Sequence, residues 1–264
     1  MRRPSESVAR RNGQLLELIR RIKADHPYWG YRRVWAQLRY VDGQAVNKKR
    51  VYRLMRHHGL LVKANTRLRA SRVSDRSKPR PSRPNQWWGI DLTKVMTGSG
   101  WVYVVILLDW YSKKIVGHHA GPRATTGHWL AALDRGLNRQ FPDGVRRHGL
   151  NLMSDNGSQP TSIRFMRACS TLGISQAFTS YNNPKGNADT ERMMRTLKEE
   201  LFWLREWSSQ REVSSALDEW IEWYNEHYLH SALGYRTPNQ VHAVPSLRMS
   251  ESCKLATRTL LKTA

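Results

Sequence analysis

Apolar residues recur at helical spacing through the first part of the chain. Within residues 12–24, "NGQLLELIRRIKA", Leu15, Leu16, Ile19 and Ile22 fall on one side of a helix. Pro27 ends that helix, and Gly30 permits a tight turn. A second helix carries Val34, Trp35 and Leu38 on its apolar side. Asn47 is placed to cap a third, "KKRVYRLMRHHG", which stops at Gly59. The pattern then lapses. Residues 63–86 hold almost no large apolar side chain and three prolines, which predicts an extended linker.

From Trp87 the period changes. "WWGIDLTKV" and "WVYVVILLDW" read as two strands around a "TGSG" turn, and "KKIVGHHA" as a third. "ATTGHWLAALDRGLNRQF" is a helix and "GLNLMS" a fourth strand. "SIRFMRACSTLG" is a helix stopped by Gly173, and "ISQAFTS" a fifth strand. Residues 187–206 and 209–229 read as two long helices. This order predicts an α/β core, a mixed sheet covered by helices in the ribonuclease H-like arrangement. The expected division is a helical domain at 1–62, a basic linker at 63–86, a core at 87–245 and a tail at 246–264.

Composition sharpens this division. The chain has 264 residues, 39% of them hydrophobic, and 11 Trp, enough for a real core. No apolar run approaches the roughly 18 residues of a membrane span. The basic start has no apolar signal-peptide region, so the expected location is the cytoplasm. Two cysteines and no Cys/His spacing of the zinc type exclude a disulfide framework and a structural zinc site. Of the net charge of +23, residues 1–86 hold +18 (23 Lys+Arg against 5 Asp+Glu), and the remainder holds +5 (21 against 16). A strongly basic module joined to a near-neutral one suggests a polyanion-binding arm. Three short helices with basic outer faces suggest a helix-turn-helix-like module. Lys48, Lys49, Arg50, Arg53 and Arg56 on the third helix are the expected DNA contacts. The plain alternative is a helical bundle with a solvated basic face.

The carboxylates then narrow the chemistry. Asp91 lies between Ile90 and Leu92 inside an apolar strand, where an unpaired charge is expensive. Asp155 ends the fourth strand and is followed by Asn156 and Gly157, which suit a turn. Glu191 opens the helix after the fifth strand, with 35 residues between it and Asp155. At 100° per residue, Asn187, Glu191, Arg195 and Lys198 fall within about 80° of one another. Met194, Leu197, Leu201 and Leu204 form a separate stripe that predicts the buried side.

In combination, "WWGIDLTKV", "MSDNGSQ", "NPKGNADTERMMRTLKEEL" and "HSALGYRTP" resemble the second-frame (OrfB-type) transposases of bacterial insertion sequences, within the retroviral integrase superfamily. "HPYWGYRRVWAQLR" and "NKKRVYRLMRHHGL" resemble the helical domain before the core in those proteins. The resemblance runs from about residue 12 to 245. It implies a DDE triad at Asp91, Asp155 and Glu191, with Lys198 contacting the transposon-end DNA. It also implies two Mg²⁺ ions, for which Mn²⁺ is expected to substitute. The implied reaction is cleavage at the element's ends and transfer of the freed 3′-hydroxyl into target DNA. The implied partners are the terminal inverted repeats, target DNA, further copies of the chain on DNA, and an upstream-frame helix-turn-helix protein or fusion. Pro160 and Arg192 depart from the residue types expected at those positions. The alternatives are a ribonuclease H-like nuclease without strand transfer, and a DNA-binding regulator with an inactive core.

Overall fold

The computed structural model describes residues 6–62, 79–179 and 187–243; the stretch predicted as linker up to residue 78 and the tail at 246–264 lie outside the described residues. The first helix, α1, spans Glu6–Asp25, starting earlier than its apolar pattern suggests. The second, α2, spans Tyr31–Ala36 and widens into a π-helical turn over Gln37–Val41. The third, α3, spans Lys48–His57, and the Asn47 side chain accepts the Lys49 N–H at 2.8 Å. That bond satisfies one of the orphan donors of the first turn, as the sequence predicted.

Next come β1 (Trp87–Thr97), β2 (Gly100–Asp109), β3 (Ile115–Gly121), α4 (Thr126–Gln140), β4 (Asn151–Ser154), α5 (Ile163–Thr171) and β5 (Ser175–Phe178). They are followed by α6 (Ala188–Leu197), α7 (Gln210–His227) and α8 (Pro238–His242). The sheet order is β3-β2-β1-β4-β5. β1, β2 and β3 form an antiparallel meander, and β4 joins β1 in parallel. The predicted mixed sheet is therefore present.

The two faces of the sheet follow the alternation of β2. Val105 and Leu107 join Trp88, Ile90, Leu152 and Phe165 in the cluster beneath α4 and α5. Val104, Ile106 and Leu108 join Met193, Leu197, Leu217 and Ile221 in the cluster beneath α6 and α7. Because side chains alternate along a strand, Trp88 and Ile90 on the first face send Asp91 to the second, toward α6. The second cluster continues into the helical module through Ile19, Trp29, Val34, Leu38, Val51 and Met55. Helices α1–α3 thus pack against the core.

The long helix expected at 187–206 is shorter. α6 ends at Leu197 and passes into a π-helical turn, Lys198–Phe202. The wider turn shifts the phase of the residues after it. Leu204, expected in the buried stripe, is 44% exposed, whereas Met194 and Leu197 are buried as predicted.

Candidate active site

The site begins with strand register. β1 and β4 pair Trp87 with Asn151, Trp88 with Leu152 and Gly89 with Met153. Carried two residues further, the same register sets Asp155 opposite Asp91. Neighbouring strands lie about 4.8 Å apart, so adjacent backbones bring these two carboxylates together. β4 stops at Ser154, and the Asp155 side chain accepts the Gly157 N–H at 3.1 Å. Asn156 donates to the Thr179 carbonyl at 2.6 Å, which fastens the turn to the end of β5. The turn leaves Asp155 exposed.

Glu191 is placed by contacts that precede it. A β-carbon on Gly89 would run into the Thr190 hydroxyl and the Trp110 indole nitrogen. The missing side chain lets the first turn of α6 sit on β1. Trp110 Nε1 donates to Thr190 Oγ1 at 3.0 Å, and Thr190 is fully buried. Asn187 donates to the Ile90 carbonyl at 3.4 Å. Lys113, from the turn between β2 and β3, pairs with Asp189 at 3.0 Å. With Thr190 turned inward, Glu191 emerges on the exposed side.

Lys198 closes α6 on the same side. It lines a cleft of about 600 Å³ together with Asp91, Thr93, Glu191, Met194, Arg195 and Trp203. Each acid near Lys198 in sequence pairs elsewhere: Asp189 with Lys113, Glu199 with Arg195 at 2.7 Å, and Glu200 with Arg33 at 3.4 Å. Lys198 instead lies within electrostatic reach of Asp91. Trp203 is 58% exposed at the cleft wall, a residue that the helical phase did not single out.

Asp91 carries the electrostatic signature of the site. Burial pushes its carboxyl up to about 6, and repulsion from Asp155 and Glu191 adds to this. The Leu92 N–H, 2.8 Å from its Oδ1, and the Lys198 ammonium oppose the shift. Asp91 therefore feels both of the other candidate carboxylates. Among the described residues, however, no three acidic, His or Cys side chains converge tightly enough to hold an ion as they stand. Mutual repulsion holds such oxygens apart until a cation balances them. A set of hard carboxylate oxygens suits a small divalent cation such as Mg²⁺.

The expected DNA contacts on α3 divide. Lys49, Arg53 and Arg56 are exposed on one face, with Tyr52 among them. Arg50 is half-buried, and its Nε and Nη2 donate to the Asn12 side-chain Oδ1 at 3.0 and 2.8 Å. Lys48 turns the other way. Its ammonium lies 4.1 Å from the centre of the Trp35 ring and 3.5 Å from the Tyr235 hydroxyl. Pro160 is buried, and its carbonyl accepts from Gln176 at 3.1 Å; Arg192 is exposed.

Residues 81–184 and 172–238 match models of the integrase core domain, and residues 10–67 match an HTH-like domain. The chain is 30% identical over 250 residues to the protein assigned as transposase for insertion sequence element IS986/IS6110 in Mycobacterium tuberculosis, covering 88% of each chain. This chain belongs to the insertion sequence transposase family. It is also 30% identical to the transposase for element IS629 of Shigella sonnei, over 87% of this chain and 79% of that one. Its identity to transposase InsD for element IS2D of Escherichia coli is 29%, over 84% of this chain and 76% of the relative. A chain of the simian T-cell lymphotropic virus intasome shares the fold with a TM-score of 0.53, at 19% identity, over 85% of this chain and 73% of that one. Membership agrees with the resemblance seen in the sequence motifs, and the intasome likeness agrees with the expected core. Among the described residues, no helix of this transposase is long and apolar enough to cross a membrane.

Proposed function

We propose that this transposase is a polynucleotidyl transferase whose triad is Asp91, Asp155 and Glu191, acting on the ends of its own insertion sequence. The observation that supports this most is that Asp91 and Glu191 line one cleft while Asp155, just past the end of the strand paired with β1, acts electrostatically on Asp91. In the first step, water attacks the phosphodiester at the element's end and a 3′-hydroxyl leaves. In the second, that hydroxyl attacks a target phosphodiester, and the target's own 3′-oxygen leaves. Both steps put charge on attacking and leaving oxygens.

Asp91, Asp155 and Glu191 would hold the divalent ions. When bound, such ions stabilise the charge on both oxygens of an in-line displacement. Lys198 stands two helical turns, about 10 Å, beyond Glu191. It is a point charge for the terminal phosphates and fixes where the DNA end lies. Lys49, Arg53 and Arg56 form the basic face that grips the duplex further in. Transposition joins two ends, so at least two copies act together on DNA.

The test uses the purified full chain, Mg²⁺, a supercoiled target plasmid and linear duplexes carrying the inverted repeats that flank its reading frame. Covalently joined duplex and plasmid are expected. Cleaved duplex with no joined product would make the protein a nuclease. Bound but uncut duplex would make it a regulator.

A further inference from the structure

The helical module is fastened to the catalytic core by contacts that have no part in the proposed reaction. Glu200, in the π-helical turn after α6, is 8% exposed. Its carboxylate meets His26 Nδ1 at 3.1 Å and Arg33 Nη1 at 3.4 Å. Arg33 also lies 4.5 Å above the Tyr228 ring, at the end of α7. A second fastening sits at the start of α3. The Lys48 ammonium is 4.1 Å from the Trp35 ring centre and 5.4 Å from that of Tyr235. Tyr40 stacks on Tyr235 with 5.7 Å between ring centres. Tyr235 belongs to "HSALGYRTP", a motif that the chemistry leaves unused. Its φ of 62° is uncommon for a residue with a side chain, and its N–H donates to the His230 carbonyl at 2.7 Å. Side chains of the module thus fill a box that the core's C-terminal turn completes.

Glu200 rides on the helical backbone that carries Glu191 and Lys198. A module held to Glu200 is therefore held to the catalytic helix. We propose that Glu200 and the Lys48–Tyr235 contact are positioning elements. They lock the basic face of α3 in one register against α6, so that DNA seized by the module reaches the carboxylates at a fixed distance from the sequence it recognises. Lys48 then serves the protein's own geometry, whereas Lys49, Arg53 and Arg56 meet phosphate. This inference rests on the proposed triad and adds to it a residue set that touches neither substrate nor ion.

The experiment follows DNA binding against salt, and the exact phosphates cut, for the full chain with flanking-repeat duplexes in Mg²⁺. A lysine on phosphate contributes about one unit to the salt slope. Lys48→Met is expected to leave the slope unchanged. Cutting should then scatter over neighbouring phosphates and slow about tenfold, because small displacements from the reactive geometry are severe. Lys48→Arg should restore the single cut, since a guanidinium also sits over aromatic rings. Glu200→Gln should scatter the cut in the same way with binding intact. The proposal is overturned if Lys48→Met lowers the slope by about one with the cut unchanged, or if Glu200→Gln cuts at the native position and rate. Should Glu200→Gln fail to fold, the partly exposed Lys48 decides alone. Cutting that persists in an Asp155→Asn control would overturn the triad itself, a separate result.

Discussion

Gly89 shows how a residue without a side chain fixes the position of a neighbouring helix. Thr190 and the Trp110 indole occupy the space where its β-carbon would stand. Gly89→Ala must push the first turn of α6 off the sheet, and Glu191 with it. A loss of about 1–3 kcal/mol in urea unfolding is expected, together with a fall in cleavage larger than the stability loss explains. Thr190→Val tests the same joint differently. It keeps the volume but removes the hydroxyl that the buried indole N–H donates to, for about 1–3 kcal/mol. Two histidines give the fold a pH dependence. Burial is the main cause that pushes His118 down to about 4 and His230 down to about 3. The unfolded chain takes up these protons near pH 6.5, whereas the folded chain stays neutral until well below that. The histidine contribution to stability is therefore full above pH 6.5 and falls as pH drops toward 4, with His118 supplying on the order of 3 kcal/mol of that fall, while protonation of Asp91, raised to about 6, opposes it over the same range. Denaturant midpoints from pH 7 to 4 check this, and His118→Asn should flatten the slope.

At the scale of the element, α6 carries the largest share of the site. It presents Glu191 and Lys198 to one cleft and turns Thr190, Met193 and Leu197 inward. Glu191→Asp should abolish strand transfer, because a side chain shorter by one methylene cannot reach the same ion. Lys198→Ala should lower transfer through misplacement of the terminal base pairs, and Lys198→Arg should keep much of the activity. Crosslinking from position 198 to labelled end DNA, measured beside the transfer rate, separates this from a surface lysine. No crosslink and an unchanged rate would leave Lys198 without a role. The phase of this helix was legible in the sequence because a 3.6-residue period is local. Its early end was not. The π-helical turn that follows carries Glu200, whose partners His26 and Arg33 lie more than 160 residues earlier in the chain. The candidate carboxylates stood out locally, Asp91 as a charge within an apolar strand and Asp155 where a strand stops, whereas their grouping with Glu191 as a triad is what the family resemblance implies. The joint at Gly89 was not legible, since its partners Trp110 and Thr190 come from other elements. The contact of Lys48 with Tyr235 was not legible either, since the two lie 187 residues apart in the chain.

For the whole molecule, charge and packing point to one working unit. The positive charge is concentrated before the sheet, yet the helices that bear it share a hydrophobic cluster with the core. DNA affinity should fall linearly on a log–log plot against salt, as phosphate contacts release counterions. Replacing Lys49, Arg53 and Arg56 together by Ala should flatten that slope by about three units, which fluorescence anisotropy over a salt series can read.

The central claim is that Asp91, Asp155 and Glu191, carried by β1, the end of β4 and α6, perform the chemistry, and Asp155→Asn tests it most directly. The substitution removes one charge and almost no volume from an exposed turn, so folding and end binding should be preserved. In Mg²⁺, with flanking-repeat duplexes and a plasmid target, the variant should bind ends with native affinity and yield neither cleaved nor joined product. Native rates of strand transfer from Asp155→Asn would contradict the account.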